Sequence, residues 1–422
     1  MKTNFHVKKK DLYRLPWSMN DNPIGWVEVT DVCNIKCDGC YRLIMGEGHK
    51  SLKQIKEEIS FMKQWRNCDN ISLAGGEPIL HPRILDIVSY IKALKMKSII
   101  LTNGYALSTK MLSDLKDAGL TGFSFHMDTT QVRPEFKKKK IGSEMELNDL
   151  RIKFAKMSKK AGLNASFGIT VHDGNLEEVP AFIQWAVDNA GLVNGISLIT
   201  YRTMPTQGIA YFSKGKEVNV NSNSLGYTSG KDSSDETQKI TSKELYALIR
   251  SHFKGYEASS YLGGTVDHSS IKWLIGNLIV SGNGKVLGGY GKKAMELIQS
   301  IYHFTKGSYL VYPHSKVGKE IFLLSLFDRP LRNTFFQFLK RSFINPFRLF
   351  KPVHVLGIGI IQAPDILPDG SIDMCDDCPD LCVHEGKLVN SCRLDECRIY
   401  GEFLQPRPVI SKKPVEEDRL VS

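Results

Sequence analysis

The sequence has no apolar run long enough to cross a bilayer. Its longest, around 321–327 and 355–361, fall far short of the ~20 residues that a spanning helix needs. It starts Met1-Lys2-Thr3-Asn4-Phe5-His6, without the apolar stretch of a secretory leader, so cytoplasmic residence is the expectation. No internal repeat is present, which excludes solenoids and propellers. Acidic residues are absent from 329 to 364, and over the whole chain 56 Lys and Arg outnumber 45 Asp and Glu, for a net charge of +11. That imbalance points to an anionic partner: nucleic acid, a membrane surface or a phosphorylated substrate. Cysteine is scarce, nine in 422 residues, yet eight of the nine fall in two clusters. In a cytosolic protein such clusters bind metal or do redox work and seldom form disulfides. Cys68 stands outside both clusters and reads as a plain, partly buried thiol.

With 42% hydrophobic residues, a chain of 422 residues can bury a sizeable core and is long enough for two or three domains. Residues 1–23, with Lys8-Lys9-Lys10 and Trp17, read as a basic arm. From 24 to 203 strand and helix patterns alternate, with strands expected at 25–30, 70–74, 98–102, 122–127, 164–171 and 195–201. Helices fall between them, at 51–65, 81–94, 108–118, 145–161 and 176–189. Such alternation argues for βαβ units and a parallel sheet, hence an α/β fold. Residues 204–241 are polar, with Ser, Asn, Gly and Lys dense over 218–235, and read as a loop or insertion. A basic aromatic region follows over 242–354, then a Cys-rich segment over 355–403 and a loose tail over 404–422.

Two stretches carry the chemistry. Cys33, Cys37 and Cys40, spaced x3 then x2, follow the first strand directly. Thiolates this close on loop backbone can wrap a [4Fe-4S] cube, and three ligands on four irons leave one iron open. A zinc knuckle would want a fourth ligand nearby. One unit downstream, Gly75-Gly76-Glu77-Pro78 ends the next strand, where glycines allow close backbone approach and a carboxylate or carbonyl can accept from an ammonium group. Together these stretches resemble the signature of the radical S-adenosylmethionine (SAM) superfamily. The resemblance implies a partial (β/α)6 barrel of the TIM type, a SAM-binding [4Fe-4S] cluster on Cys33, Cys37 and Cys40, and reductive cleavage of SAM to a 5′-deoxyadenosyl radical. It also implies a flavodoxin- or ferredoxin-type electron donor. The family usually has an aromatic residue before the third cysteine, where this chain has Gly39; Tyr41 is the candidate ring against adenine.

The remaining cofactor contacts are carried over by the same resemblance. Gly75, Gly76, Glu77 and Pro78 would face the methionine moiety, and Asn103 either the cofactor or its own turn. On the fourth strand, alternation puts Ser124, His126 and Asp128 on one face; Asp128 or Ser124 would bind ribose hydroxyls, and His126 is either a ligand or an interior histidine. Arg151 resembles the basic residue that meets the SAM carboxylate in some members. Lys137 to Lys140 read as a solvated face or as docking for an anionic substrate. No catalytic residue can be assigned.

Cys375, Cys378, Cys382, Cys392 and Cys397 form the second cluster. Their density suits an auxiliary [4Fe-4S] cluster or a structural zinc and resembles the smaller C-terminal domain of SPASM or twitch enzymes. Residues 335–351 interleave large apolar side chains with Arg and Lys, as an interfacial element requires, although a core helix with a basic outer face has the same composition. The chain shows no RNA-binding fold, so nucleic acid is not the expected partner. Two substrate classes stay open, a lipid or other apolar anionic molecule and a peptide or protein. The first carries the further expectation of a location at the inner membrane face. A non-catalytic iron-sulfur or zinc binding protein is the alternative outside enzymes.

Overall fold

The computed structural model describes residues 5–137, 139, 141–202, 205, 208–220, 240–312 and 318–409. Most of the polar stretch 218–235, Lys138 and Lys140 of the lysine run, and the tail beyond 409 lie outside the described residues.

Six strands form the expected β/α series: Ile24–Thr30, Asn70–Gly75, Lys97–Thr102, Gly122–His126, Asn164–Val171 and Gly195–Thr200. They pair in parallel in chain order, and among the described residues no pairing joins the first to the last, which is the topology of a partial (β/α)6 barrel. Local sequence sets the helices between them. Ser51 caps Leu52–Arg66 by accepting from Gln54 N, and Ser108 caps Thr109–Ala118 through Met111 N. Gly119 ends the latter helix at φ +109°. Two helices begin later than expected, Asn148–Lys160 and Val179–Asp188, because each is preceded by a 3-10 turn.

The sheet does not stop at the sixth strand. Val353–Gln362 pairs in parallel with Gly195–Thr200, and Ile271–Ser281 and Glu257–Gly263 follow in antiparallel order. The sheet therefore runs through stretches that the sequence divided between the basic aromatic region and the Cys-rich segment. The N-terminal arm is also built in: Tyr13 and Arg14 pair with Ser260 and Tyr261, and Leu15 and Trp17 are buried against Leu262.

Alternation along the strands separates two interiors. Val27, Val29, Ile71 and Leu73 pack on the helices in the main core. Trp26 and Ala74, one residue out of step, pack with Cys382, Val389 and Leu394 of the Cys-rich segment. That segment thus fills the concave side of the sheet.

Candidate active site

Four neighbouring parallel strands end side by side, at Thr30, Gly75, Thr102 and His126, and the motif residues follow these ends. The cysteine loop is tied down at each turn. Asp31 accepts from Met45 N and Glu47 N, Lys36–Cys37 pairs antiparallel with Gln131–Val132, and Asp38 N donates to Thr130 O. Cys33, Cys37 and Cys40 lie within electrostatic range of one another. Burial pushes the Cys40 thiol up to about 11 and raises those of Cys37 and Cys33. Burial thus favours the thiol form of each, and binding a metal would release protons.

The glycine motif is laid against this loop. Gly76 N donates to Thr30 O and Glu77 N to Val32 O, each within 2.9 Å. A Cβ on Gly75 would sit 2.3 Å from Thr30 O, and one on Gly76 2.4 Å from Val32 O, so side chains here would force the two strand ends apart. Gly75 also has φ +118°, which L-residues rarely adopt.

Glu77 does not offer its carboxylate to a ligand, as the sequence allowed. It is wholly buried and accepts from Ile79 N, Thr102 Oγ1 and Asn103 N. Burial outweighs these bonds and pushes it up to about 7. Pro78 opens the 3-10 turn that Glu77 caps. Asn103 belongs to the turn: its amide donates to Asn34 Oδ1 in the cysteine loop and accepts from Tyr105 N.

Tyr41 is committed elsewhere than to adenine. Its hydroxyl donates to Gly75 O and accepts from Gly75 N, and its ring meets Trp26 edge-on at 5.9 Å. Gly39, at φ +70°, lies under the ring of Tyr201, whose Cε2 would be 2.1 Å from a Cβ there. Tyr201 follows the sixth strand, about 160 residues along the chain, and no local pattern connects it to the loop.

On the fourth strand, Asp128 is buried and receives Thr130 N, Thr130 Oγ1 and Thr170 N, and it pairs with His126 Nε2 at 2.8 Å. Burial opposes its charge, but these partners hold its carboxyl well below the usual range. Its oxygens are thus occupied. His126, about a third exposed, is the polar group presented; burial lowers its basicity, yet the Asp128 carboxylate more than compensates and raises it. Ser124 is half-buried on the same face. Arg151 is committed to protein partners. It is fully buried against Glu144, donates to Met127 O and stacks on Phe182, because its helix packs inward at that turn. The sequence reading missed Arg133, fully buried and bonded to Gln131 Oε1, Asn103 O and Glu135.

The second cysteine group divides. Cys375 and Cys378 share a side-chain hydrogen bond, and Cys392 lies within electrostatic range of both. Cys382 instead donates to Val389 O and packs with Trp26 and Ala74, with Cys397 against the same cluster. Arg66 donates to Cys378 O and Pro379 O, and Arg42 joins Glu28 to Asp395, so both barrel and loop hold this segment. Cys68, expected to be partly buried, is only 7% exposed.

The parallel strand order and the cysteine loop define a class, the barrel proteins that hold a cofactor at their strand ends. Residues 27–186, the barrel part of the chain, match the model of the Radical SAM superfamily. It is 30% identical over 152 residues to a probable GTP 3′,8-cyclase of Methanocaldococcus jannaschii, covering 31% of this chain and 49% of that protein. It is 25% identical over 168 residues to the PqqA peptide cyclase of Methylorubrum populi, covering 39% and 43%. The chain thus spans about half the length of these curated relatives or less. Among solved structures, Streptococcus suis SuiB superposes with a TM-score of 0.36 at 17% identity, over 44% of this chain and 41% of that one.

Superfamily members bind a [4Fe-4S] cluster and SAM. Among the described residues no three His, Cys, Asp or Glu side chains converge tightly enough to hold a single ion. The fit therefore rests on the three thiols of the tethered loop and on the glycine cradle that a Cβ would fill.

Proposed function

We propose that this protein is a radical SAM enzyme whose cysteines 33, 37 and 40 hold a [4Fe-4S] cluster with one iron left for SAM. Once bound and given an electron by a flavodoxin- or ferredoxin-type donor, cluster and SAM would supply radical chemistry for hydrogen abstraction from the substrate. The chain's own part is placement. Glu77 locks the Thr102-Asn103 turn, Tyr41 props Gly75 through both its N–H and its carbonyl, and the methionine ammonium would be met by carbonyls of the glycine turn other than Gly75 O. His126, oriented by Asp128, and Ser124 face the ribose side, and Tyr201 over Gly39 supplies the ring that the loop lacks. The observation that carries this reading is the glycine turn hydrogen-bonded to the backbone that leads into Cys33.

Cys375, Cys378 and Cys392 are the proposed ligands of an auxiliary [4Fe-4S] cluster, with zinc as the competing occupant. The proposed substrate is an apolar, anionic molecule met at a membrane face, supported by the exposed surface described below. A peptide substrate is the second reading, favoured by the similarity to a peptide cyclase. The test is 5′-deoxyadenosine formation by anaerobically reconstituted protein with SAM and dithionite, beside the Cys33→Ala, Cys37→Ala, Cys40→Ala triple variant. Product from the wild type alone supports the reading. No product from wild type carrying its full iron complement overturns it.

A further inference from the structure

We propose that helix Arg329–Ile344 and the 3-10 helices on either side of it form a docking surface for an anionic lipid bilayer. Leu331, Thr334, Phe338 and Ser342, spaced three and four apart, are the buried ridge of the helix, packed toward Ile321, Phe322 and Val353. A helix with one such ridge ordinarily turns polar residues outward. Here the exposed side carries Phe336, Leu339, Phe343 and Ile344 among its polar residues, and the flanking 3-10 helices add more. Phe343, Phe347 and Phe350 are 91%, 78% and 85% exposed, and Ile344, Leu323 and Leu326 are 72%, 76% and 77% exposed.

These residues belong to one unit. Arg332 donates to Ser325 O and Leu326 O, Lys319 Nζ to Leu349 O, and Arg348 to Arg341 O, which ties Lys319–Leu326 and Pro346–Phe350 to the helix between them. Side chains held this way are displayed by a rigid frame, and exposed apolar patches of this kind mark interaction sites.

Charge selects the occupant. Arg332, Lys340, Arg341, Arg348 and Lys351 share the unit with one exposed acid, Glu320, and the buried cap Asp328, and no Asp or Glu occurs from 329 to 364. A second copy of the chain, joined about a two-fold axis through this face, would set these cations against one another. An anionic bilayer satisfies both halves: rings enter the acyl boundary while guanidinium and ammonium groups meet headgroup phosphates. Among the described residues no helix is long and apolar enough to cross a membrane, so the surface would lie on the bilayer.

The test is flotation of the reconstituted holoprotein with phosphatidylcholine vesicles, with and without phosphatidylserine. Wild type is expected to float with the phosphatidylserine vesicles and to release as salt rises. The F343S/F347S/F350S variant, altered only at exposed positions, should bind at least about tenfold more weakly, and K340A/K351A about 25-fold more weakly on anionic vesicles. Both variants should keep wild-type 5′-deoxyadenosine formation in vesicle-free buffer, which reports on the cysteine site alone, so failure of either proposal is visible separately. Wild type that stays with the pellet on both vesicles, or a phenylalanine variant that floats as wild type does, overturns the proposal. So does a dimer in analytical ultracentrifugation that the same variant abolishes without any vesicle binding.

Discussion

Glu77 shows how a motif residue can serve a site without facing it. Its two oxygens take three donors from two strand ends. Glu77→Gln turns an amide N–H toward the Asn103 N–H and should cost about 1–3 kcal/mol in urea unfolding. The His126–Asp128 pair sets the pH behaviour of the site. Raised in the folded state, His126 contributes stability that is full below its unfolded pKa and is lost as pH rises through its folded value. Asp128, lowered, contributes stability present above its unfolded pKa and lost as pH falls. The pair therefore stabilises most between roughly pH 4 and 6.5. In an NMR titration the His126 ring should titrate above the ordinary imidazole value, and Asp128→Asn should bring it down. Arg151 is a structural cation: Arg151→Leu strands Glu144 in the interior and should cost about 3–5 kcal/mol, measured by chemical denaturation.

The elements of the barrel were legible because each strand–helix unit is local. Strand 164–171 follows from its alternation, and helix Thr109–Ala118 is bounded by its own Ser108 cap and Gly119, all within a dozen residues. The cysteine and glycine motifs were legible for the same reason. Contacts made across the sheet were not: nothing beside Gly39 announces Tyr201, and nothing beside Cys382 announces Trp26. The strand pattern at 353–362 was visible only as an apolar run, since its partner strand lies about 160 residues earlier. Gly39→Ala puts a Cβ into the Tyr201 ring, whereas Gly75→Ala meets backbone. Tyr201→Ala should therefore relieve the first substitution, with a coupling of about 0.5–3 kcal/mol in a double-mutant cycle. It should leave the second, an iron-poor protein, unrescued.

For the molecule as a whole, the Cys-rich segment is part of the barrel's interior. Leu394–Tyr400 carries Asp395, which accepts from Leu43 N and pairs with Arg42 and Arg398, so the C-terminal segment steadies the loop that bears Cys40. Removing residues 364–422 would expose Trp26 and Ala74 and strand the buried Glu28–Arg42 pair. The truncated chain should aggregate or lose its cooperative thermal transition. If both proposed cysteine triads are filled, these contacts should couple their occupancy through stability.

Cys33, Cys37 and Cys40 are proposed to hold a cluster with an iron open to SAM. Electron paramagnetic resonance of the dithionite-reduced holoprotein, recorded with and without SAM, tests it most directly. A [4Fe-4S]⁺ signal that shifts when SAM is added is expected, with loss of the SAM-responsive signal in the Cys33→Ala, Cys37→Ala, Cys40→Ala variant. A reduced cluster whose spectrum is indifferent to SAM in the wild type would contradict it.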